Sequence, residues 1–389
     1  MKYDSIDYLA PWCALNRIFG FAPKKGLALA RHFGGAGNVF MAAGRELQEL
    51  LGVGNPYLEQ MGTSAVDAAR SELEHLKSCG DRFICIEDER YPELLRECED
   101  APAGLYLRSA SEPESIFNVR PAVAVVGTRD ITSYGTEWCT RIVDALSRAR
   151  IKPLLVSGLA IGTDITAQNA AMERGLPTLS VMATGIDEVY PFRHGYAAEK
   201  IRCAAGSGLI TDYPPQTRPR AINFLRRNRI IAGMCSAVVL VESKRSGGGL
   251  MTCRLAYSYN KDVYALPGRV DDVCSGGCNS LIRMKMAEPI DDVEELVDAL
   301  GLGIGGKTGK LDIRTYVYMK YKDSLGPAAA EKMASVADAV RRNRDIRIED
   351  ISSLTGIGYA DAAECSGRLI CDGIIVTDIL QCCSINPEI

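Results

Sequence analysis

The sequence predicts an α/β fold: a Rossmann-like parallel sheet core, a small helical N-terminal domain before it and a C-terminal winged-helix domain after it. Three observations carry that expectation. Short apolar runs of buried-strand character recur through the middle of the 389-residue chain: VAVV (123–126), LLVS (154–157), TLSVM (178–182), AVVLV (237–241) and VYAL (263–266). Between them lie helix-length stretches of 3.6-residue periodicity, such as Trp138, Ile142, Val143 and Leu146. Several runs end in glycine-rich turns. Strand and helix in alternation imply βαβ crossovers and a parallel sheet.

Residues 1–80 come first and read as short helices joined by turns such as HFGGAGN (32–38) and LGVGNP (51–56). The stretch LLGVG (50–54) is similar to the hairpin of a helix-hairpin-helix module, although glycine is also the default turn residue, and a plain helical packing unit explains it more simply. The sheet domain spans 81–300. A linker is expected at 301–325, opening with GLGIGGKTGK. Residues 301–308 match the phosphate-loop pattern GxxxxGK[ST], but that loop works only between a buried strand and a helix, and VEELVDAL (293–300) reads as a helix. A chance match in a linker is the favoured reading.

The remaining residues, 326–389, suggest a winged helix. Ser335 is a plausible N-cap for a helix over 335–343. Ile348, Ile351 and Leu354 mark a second helix, the turn Gly356-Ile357-Gly358 follows, and 359–371 makes a third. The segments GIIV (373–376) and Leu380 onward suggest a small β-wing. The helix that would read DNA carries Asp361 and Glu364, with Arg368 its one basic side chain. Acidic groups facing phosphate repel it. Protein–protein or intramolecular docking is therefore favoured for this domain, with the basic run 341–344 as the exception.

In parallel sheets, ligands bind outside the carboxyl ends of the strands. Three loops there are candidates: Gly127, Thr128 and Arg129; then Ser157, Gly158 and Gly162; then Ser246, Gly247 and Gly248. Glycine lets backbone amides approach an anion, and a helix N-terminus favours phosphate. The sharper signal is TRPRAINFLRRNRIIAG (217–233). Arg218, Arg220, Arg226, Arg227 and Arg229 crowd together, no Asp or Glu occurs between Asp212 and Glu242, and Phe224 lies among the arginines. An aromatic face can stack a base while guanidinium groups hold the backbone. Ion-paired arginines pinning the helix are the competing explanation, and some of them are expected to be structural. Arg227 and Arg229, two residues apart on a helix, cannot share a face.

The ordered blocks VAVVGTRDITSYG (123–135), SGLAIGTD (157–164), DEVYP (187–191), NFLRRNRIIAGMC (223–235), SGGGLMTCRLAY (246–257), VYALPG (263–268) and SGGCNSLI (275–282) resemble the signature of the DprA/Smf family of bacterial recombination mediators. The resemblance covers about 80–290. It implies a Rossmann-like domain that binds single-stranded DNA in a basic pocket, a homodimer formed through that domain, and loading of the recombinase RecA, in natural transformation or DNA uptake. It also implies that Arg129 contacts phosphate, that Phe224 stacks a base, and that Gly158, Gly162 and Asn223 line the pocket. The chain departs from the family pattern at Ile161, where arginine is usual, at Gln168 (histidine), at Leu225 (proline) and at Lys285-Met286 (Gly-Ala).

Composition bounds the partners. With 45 Lys and Arg against 49 Asp and Glu, the net charge is -4, so any nucleic-acid contact has to come from a local patch. No apolar run reaches the ~20 residues of a membrane span, and the N-terminus lacks a signal pattern, so a cytoplasmic protein is expected. The 14 cysteines form no paired CxxC knuckles and stand apart in sequence from the three histidines, which favours free thiols over a metal site. No cofactor is expected. A nucleotide-binding or nucleotide-hydrolysing enzyme related to the phosphoribohydrolases is the rival reading. Those enzymes carry a PGGxGTxxE loop, and here no glutamate follows Gly249 within a turn. Asp164 and Asp187 are the carboxylates near strand ends, with Asp164 read as an N-cap, and no nucleophile–base pair is evident, so no catalytic residue is assigned.

Overall fold

Five apolar runs become strands because both of their faces are covered. In the computed structural model, which describes residues 2–303, 313–343, 346–377 and 382–385, the strands are β1 (Arg82–Cys85), β2 (Gly104–Arg108), β3 (Ala122–Val126), β4 (Leu154–Ser157), β5 (Thr178–Val181), β6 (Gly208–Thr211), β7 (Ala237–Leu240), β8 (Asp262–Ala265) and β9 (Glu288–Pro289). They form one sheet in the order β1-β2-β6-β5-β4-β3-β7-β8-β9. From β6 to β9 every pairing is parallel, while β2 pairs antiparallel with β6 and β1 antiparallel with β2. Alternate side chains of β3 serve two cores: Ala124 and Val126 face one, Val123 and Val125 the other. A strand buried on both faces reads as a continuous hydrophobic run, which is the pattern that the sequence displays.

The first core is larger than expected. Leu9, Trp12, Leu15 and Phe19 of the helix Ile6–Phe19 belong to the same buried cluster as β4, β5 and β6. Asn16 Nδ2 also donates to the Asp212 carbonyl oxygen at 2.8 Å. The helical segment expected to stand alone at 1–80 thus shares its core with the sheet, because helices this short bury too little apolar surface by themselves. The chain divides into two compact units, 1–305 and 306–389.

In the second unit, helices run over Ile313–Leu325, Pro327–Arg342, Ile348–Thr355 and Tyr359–Cys371, and β10 (Ile375–Thr377) pairs antiparallel with β11 (Cys383–Ile385). Two expectations are corrected here. The linker expected through residue 325 is a helix from Ile313, with Ile313, Val317 and Tyr321 buried one turn apart beneath a charged outer face. Ser335 is not an N-cap; its helix starts at Pro327 behind Gly326, whose φ is +82°. Proline at the first position costs no hydrogen bond there. Gly301 closes the helix Val293–Ala299, its amide donating to the Asp298 carbonyl at 2.8 Å. The rest of the phosphate-loop match, 304–308, lies outside the described residues. Among those residues no helix is long and apolar enough to cross a membrane, no His, Cys, Asp and Glu cluster is arranged to hold a metal, and no disulfide joins two cysteines.

Candidate nucleic-acid interface

The sheet order fixes where a ligand can enter. From β3 the chain builds β4, β5 and β6 on one side, then returns to build β7, β8 and β9 on the other. Loops leaving β3 and β7 therefore diverge and open a crevice at the carboxyl edge. A cleft of about 830 Å³ lies there, and Gly127, Thr128, Arg129, Arg220, Phe224, Arg227, Ser246, Gly247 and Gly248 of the expected set line it.

Glycine shapes this edge mainly by allowing close approach. A Cβ on Gly249, in the first turn of the helix Gly248–Ser258, would lie 2.9 Å from the Gly127 Cα, so the β3 and β7 loops can meet only without side chains. The first amides of that helix have no intrahelical acceptor and open on the cleft. Gly158 has a different purpose. A Cβ there would sit 2.1 Å from an Arg227 guanidinium nitrogen.

Phe224 lies near the start of the helix Ala221–Met234 and is half-buried. The Arg129 guanidinium carbon stands 5.1 Å from its ring centroid, and the Tyr190 ring meets it edge-on with centroids 5.5 Å apart. Arg220 is the N-cap residue of the same helix, and Arg218 precedes it; both are exposed. Among the described residues, no carboxylate pairs with Arg129, Arg218 or Arg220. Arg129 and Arg220 line the cleft with the aromatic ring, and exposed Arg218 adds a third unneutralised guanidinium just before the helix, a local cationic patch of the kind an acidic chain needs for nucleic acid.

The second half of the arginine block goes elsewhere. Arg229 is buried and paired with buried Asp212 at 2.5 Å, and it also donates to the Asp100 carbonyl. The Arg226 guanidinium carbon lies 3.8 Å from the Phe21 ring centroid and 5.6 Å from that of Tyr213, whose hydroxyl accepts from Arg226 Nη1 at 3.3 Å. Arg227 reaches the cleft wall but is buried. It donates to the Gly158 carbonyl at 2.7 Å and to the Val181 carbonyl, joining the ends of β4 and β5.

Asp164 completes that junction. The sequence suggested an N-cap, yet the cap residue is Gly162, and the Asp164 carboxylate instead accepts from the Gly158 amide at 3.1 Å and the Ala160 amide at 3.4 Å. Burial raises the Asp164 pKa, opposed by the Arg227 charge and the two amides. Burial also lowers the Arg227 pKa, opposed by Asp164. The loop after β4 thus spends its amides on a carboxylate of the protein.

Four other expected residues stand behind the cleft. Ser157 is buried, with its hydroxyl donating to the Val125 carbonyl at 2.7 Å. Gly158 packs on Arg227, and Gly162, at φ +81°, packs on the Thr128 carbonyl. Asn223 is buried and donates to the Arg218 carbonyl at 3.4 Å, closing the turn before its helix. Conversely, Tyr190, Asn228 and Lys244 line the cleft without having been expected there. The DEVYP block contained Tyr190, but only the fold brings it to Phe224. Lys244 sits just before the Ser246 loop and pairs with Asp130 at 3.2 Å. Of the family departures, Leu225 lines the cleft, whereas Gln168 is internal, donating to the Ser180 hydroxyl at 2.7 Å. The cleft-lining carboxylates, Asp130 and Asp164, are thus both engaged with protein partners.

Residues 82–301 match the family model of DNA recombination-mediator protein A. Protein Smf of Synechocystis is 32% identical over 293 residues, covering 75% of this chain and 72% of its own length. DNA processing protein DprA of Streptococcus pneumoniae is 32% identical over 240 residues, which is 61% of this chain and 80% of the relative. Its X-ray structure superposes with a TM-score of 0.60 at 28% identity, covering 74% of this chain and 95% of that one. DNA processing protein A of Helicobacter pylori, whose structure concerns a single-stranded DNA binding mode, shares the fold at a TM-score of 0.50 and 24% identity, over 57% of this chain and 95% of that one.

Proposed function

The chain belongs to the DNA recombination-mediator protein A (DprA/Smf) family, and on that premise we propose that it binds single-stranded DNA in the strand-end cleft and hands it to the recombinase RecA. The observation that carries this reading is the Arg129–Phe224–Tyr190 group, an aromatic platform flanked by cations with no carboxylate partner among the described residues. Phosphates lie against Arg129, Arg218, Arg220 and the opening amides of the helix Gly248–Ser258. A base stacks on Phe224. Arg227, Asp164 and Gly158 act as positioning residues that hold the cleft wall in shape.

Duplex DNA, whose bases are stacked on each other, cannot use such a platform. A homodimer formed through the sheet domain would present two clefts to one strand, and the second unit, read as a winged helix, serves docking rather than base readout. This activity belongs to a cytoplasmic protein that protects incoming strands. Its test is fluorescence anisotropy of the full chain with labelled oligo-dT and with duplex over a salt series, followed by RecA filament assembly on the same strand. Preference for the single strand, declining steeply with salt, is the expected result, together with faster RecA nucleation. Equal binding of duplex and single strand would contradict the platform, and RecA assembly unaffected by the chain would remove the hand-over.

A further inference from the structure

A second cavity lies beyond the wall that closes the cleft at Tyr190. It measures about 760 Å³ and is lined by Arg193, His194, Tyr196 and Lys200 on one side and by Ile165 and Met172 of the helix Thr163–Glu173 on the other. The wall between the two spaces is the turn 190–194, joined to the loop after β4 by a 2.8 Å hydrogen bond between His194 Nδ1 and the Leu159 carbonyl. Ala160, Asp164 and Tyr190 face the first space; Ile165, Arg193 and His194 face the second.

Phe192 is 93% exposed and Tyr196 74% exposed. Large aromatics left this bare lose the burial that normally justifies them, and when clustered they mark a binding surface. Cations interleave with them: Lys200 Nζ stands 4.6 Å from the Tyr196 ring centroid, and Arg193 follows Phe192. The carboxylate of the groove lining, Glu173, lies 3.7 Å from Arg174. Aromatic faces alternating with cations match a flexible polyanion carrying planar bases better than they match an apolar protein surface.

We propose that single-stranded nucleic acid leaving the cleft past Tyr190 continues over Phe192 into this groove, with bases on Phe192 and Tyr196 and phosphates at Arg193 and Lys200. The inference rests on the cleft reading and extends it to a longer binding track.

The test uses the full chain and fluorescein-labelled oligo-dT of about 6 and about 20 nucleotides, lengths that bracket one binding site and more than one. Wild type should prefer the longer strand, and Phe192→Ala with Tyr196→Ala should cut that preference about tenfold or more, as loss of stacking predicts. Arg193→Gln with Lys200→Gln, which leaves the aromatics in place, should lower the same preference and flatten its salt dependence. Cross-linking of 5-iodouracil strands should map to the peptide carrying Phe192 and Tyr196. An undiminished length preference in both double variants would overturn the track. A variant that changes only the sedimentation of the protein would overturn it too and assign the patch to a second copy of the chain. The cleft is judged separately: if Arg129→Ala with Phe224→Ala leaves short-strand binding intact, the cleft reading falls while the length ratio still reports on the groove. A wild type that binds neither length overturns both.

Discussion

The arginine block 217–233 has two arginine-bearing halves with opposite fates. In the first half Arg218 and Arg220 are exposed, with Arg220 lining the cleft beside Phe224; in the second, Arg226, Arg227 and Arg229 are engaged by the protein, on Phe21, on the ends of β4 and β5, and on Asp212. One helix separates them. Its N-terminal turn lines the cleft, while the later residues are buried against the sheet, where a guanidinium group must find partners or be costly to bury. Sequence density of positive charge is therefore a poor measure of a binding patch. What counts is the charge left over after the fold has taken what it needs.

The comparison breaks most sharply at Arg229. Arg229→Met leaves buried Asp212 unpaired and should cost about 3–5 kcal/mol of stability, read as a fall in thermal midpoint, while folded protein at low temperature keeps its affinity for oligo-dT. A variant that stays as stable as wild type but loses binding would move Arg229 to the interface. Phe224→Ala should do the reverse, losing about 1–3 kcal/mol of single-strand affinity with little change in melting. Next comes Arg220→Gln, expected to lower the slope of log affinity against log salt by about 0.7, the value for one single-strand phosphate contact. An unchanged slope would mean that Arg220 touches no phosphate.

The smallest effect concerns Asp164. Burial, partly countered by Arg227, holds its folded-state pKa above the ordinary carboxylate value. A raised folded pKa contributes stability that is present below the unfolded value and lost as pH rises through the folded one. The stability difference between wild type and Asp164→Asn, followed by urea unfolding, should therefore narrow as pH climbs from about 4, near the unfolded carboxylate pKa, toward neutrality. A difference that widens over that range would mean that the Arg227 charge and the loop amides outweigh burial.

Five of the parallel strands, β3, β4, β5, β7 and β8, were legible because each reads as a short apolar run that the sheet buries. β1, β2, β6 and β9 were not: β1 and β9 are edge strands, which carry a weaker pattern, β6 is the short GLIT with glycine and threonine at its ends, and β2 pairs with β1 across a long connection rather than a tight turn. The helix Ile313–Leu325 was hidden by the polar and charged residues between Ile313, Val317 and Tyr321, its fully buried positions. Among the cleft-lining residues, Gly127 and Arg129 could be read from the loop after β3, and Arg220 and Phe224 from the arginine block. Tyr190 could not be placed, because its edge contact with Phe224 depends on two segments that meet only in the folded chain. Gly158 and Asn223 sat in the right motifs, but their work is internal: one admits Arg227, the other ties down the turn before the helix. Motif spacing identifies which residues are constrained; burial decides whether ligand or fold constrains them.

The most direct test compares Arg129→Ala plus Phe224→Ala with wild type by anisotropy against labelled oligo-dT, with a melting curve on each protein. Loss of salt-sensitive single-strand binding in a variant that melts like wild type is the predicted result. Retained binding in the folded variant would contradict the cleft as the nucleic-acid site.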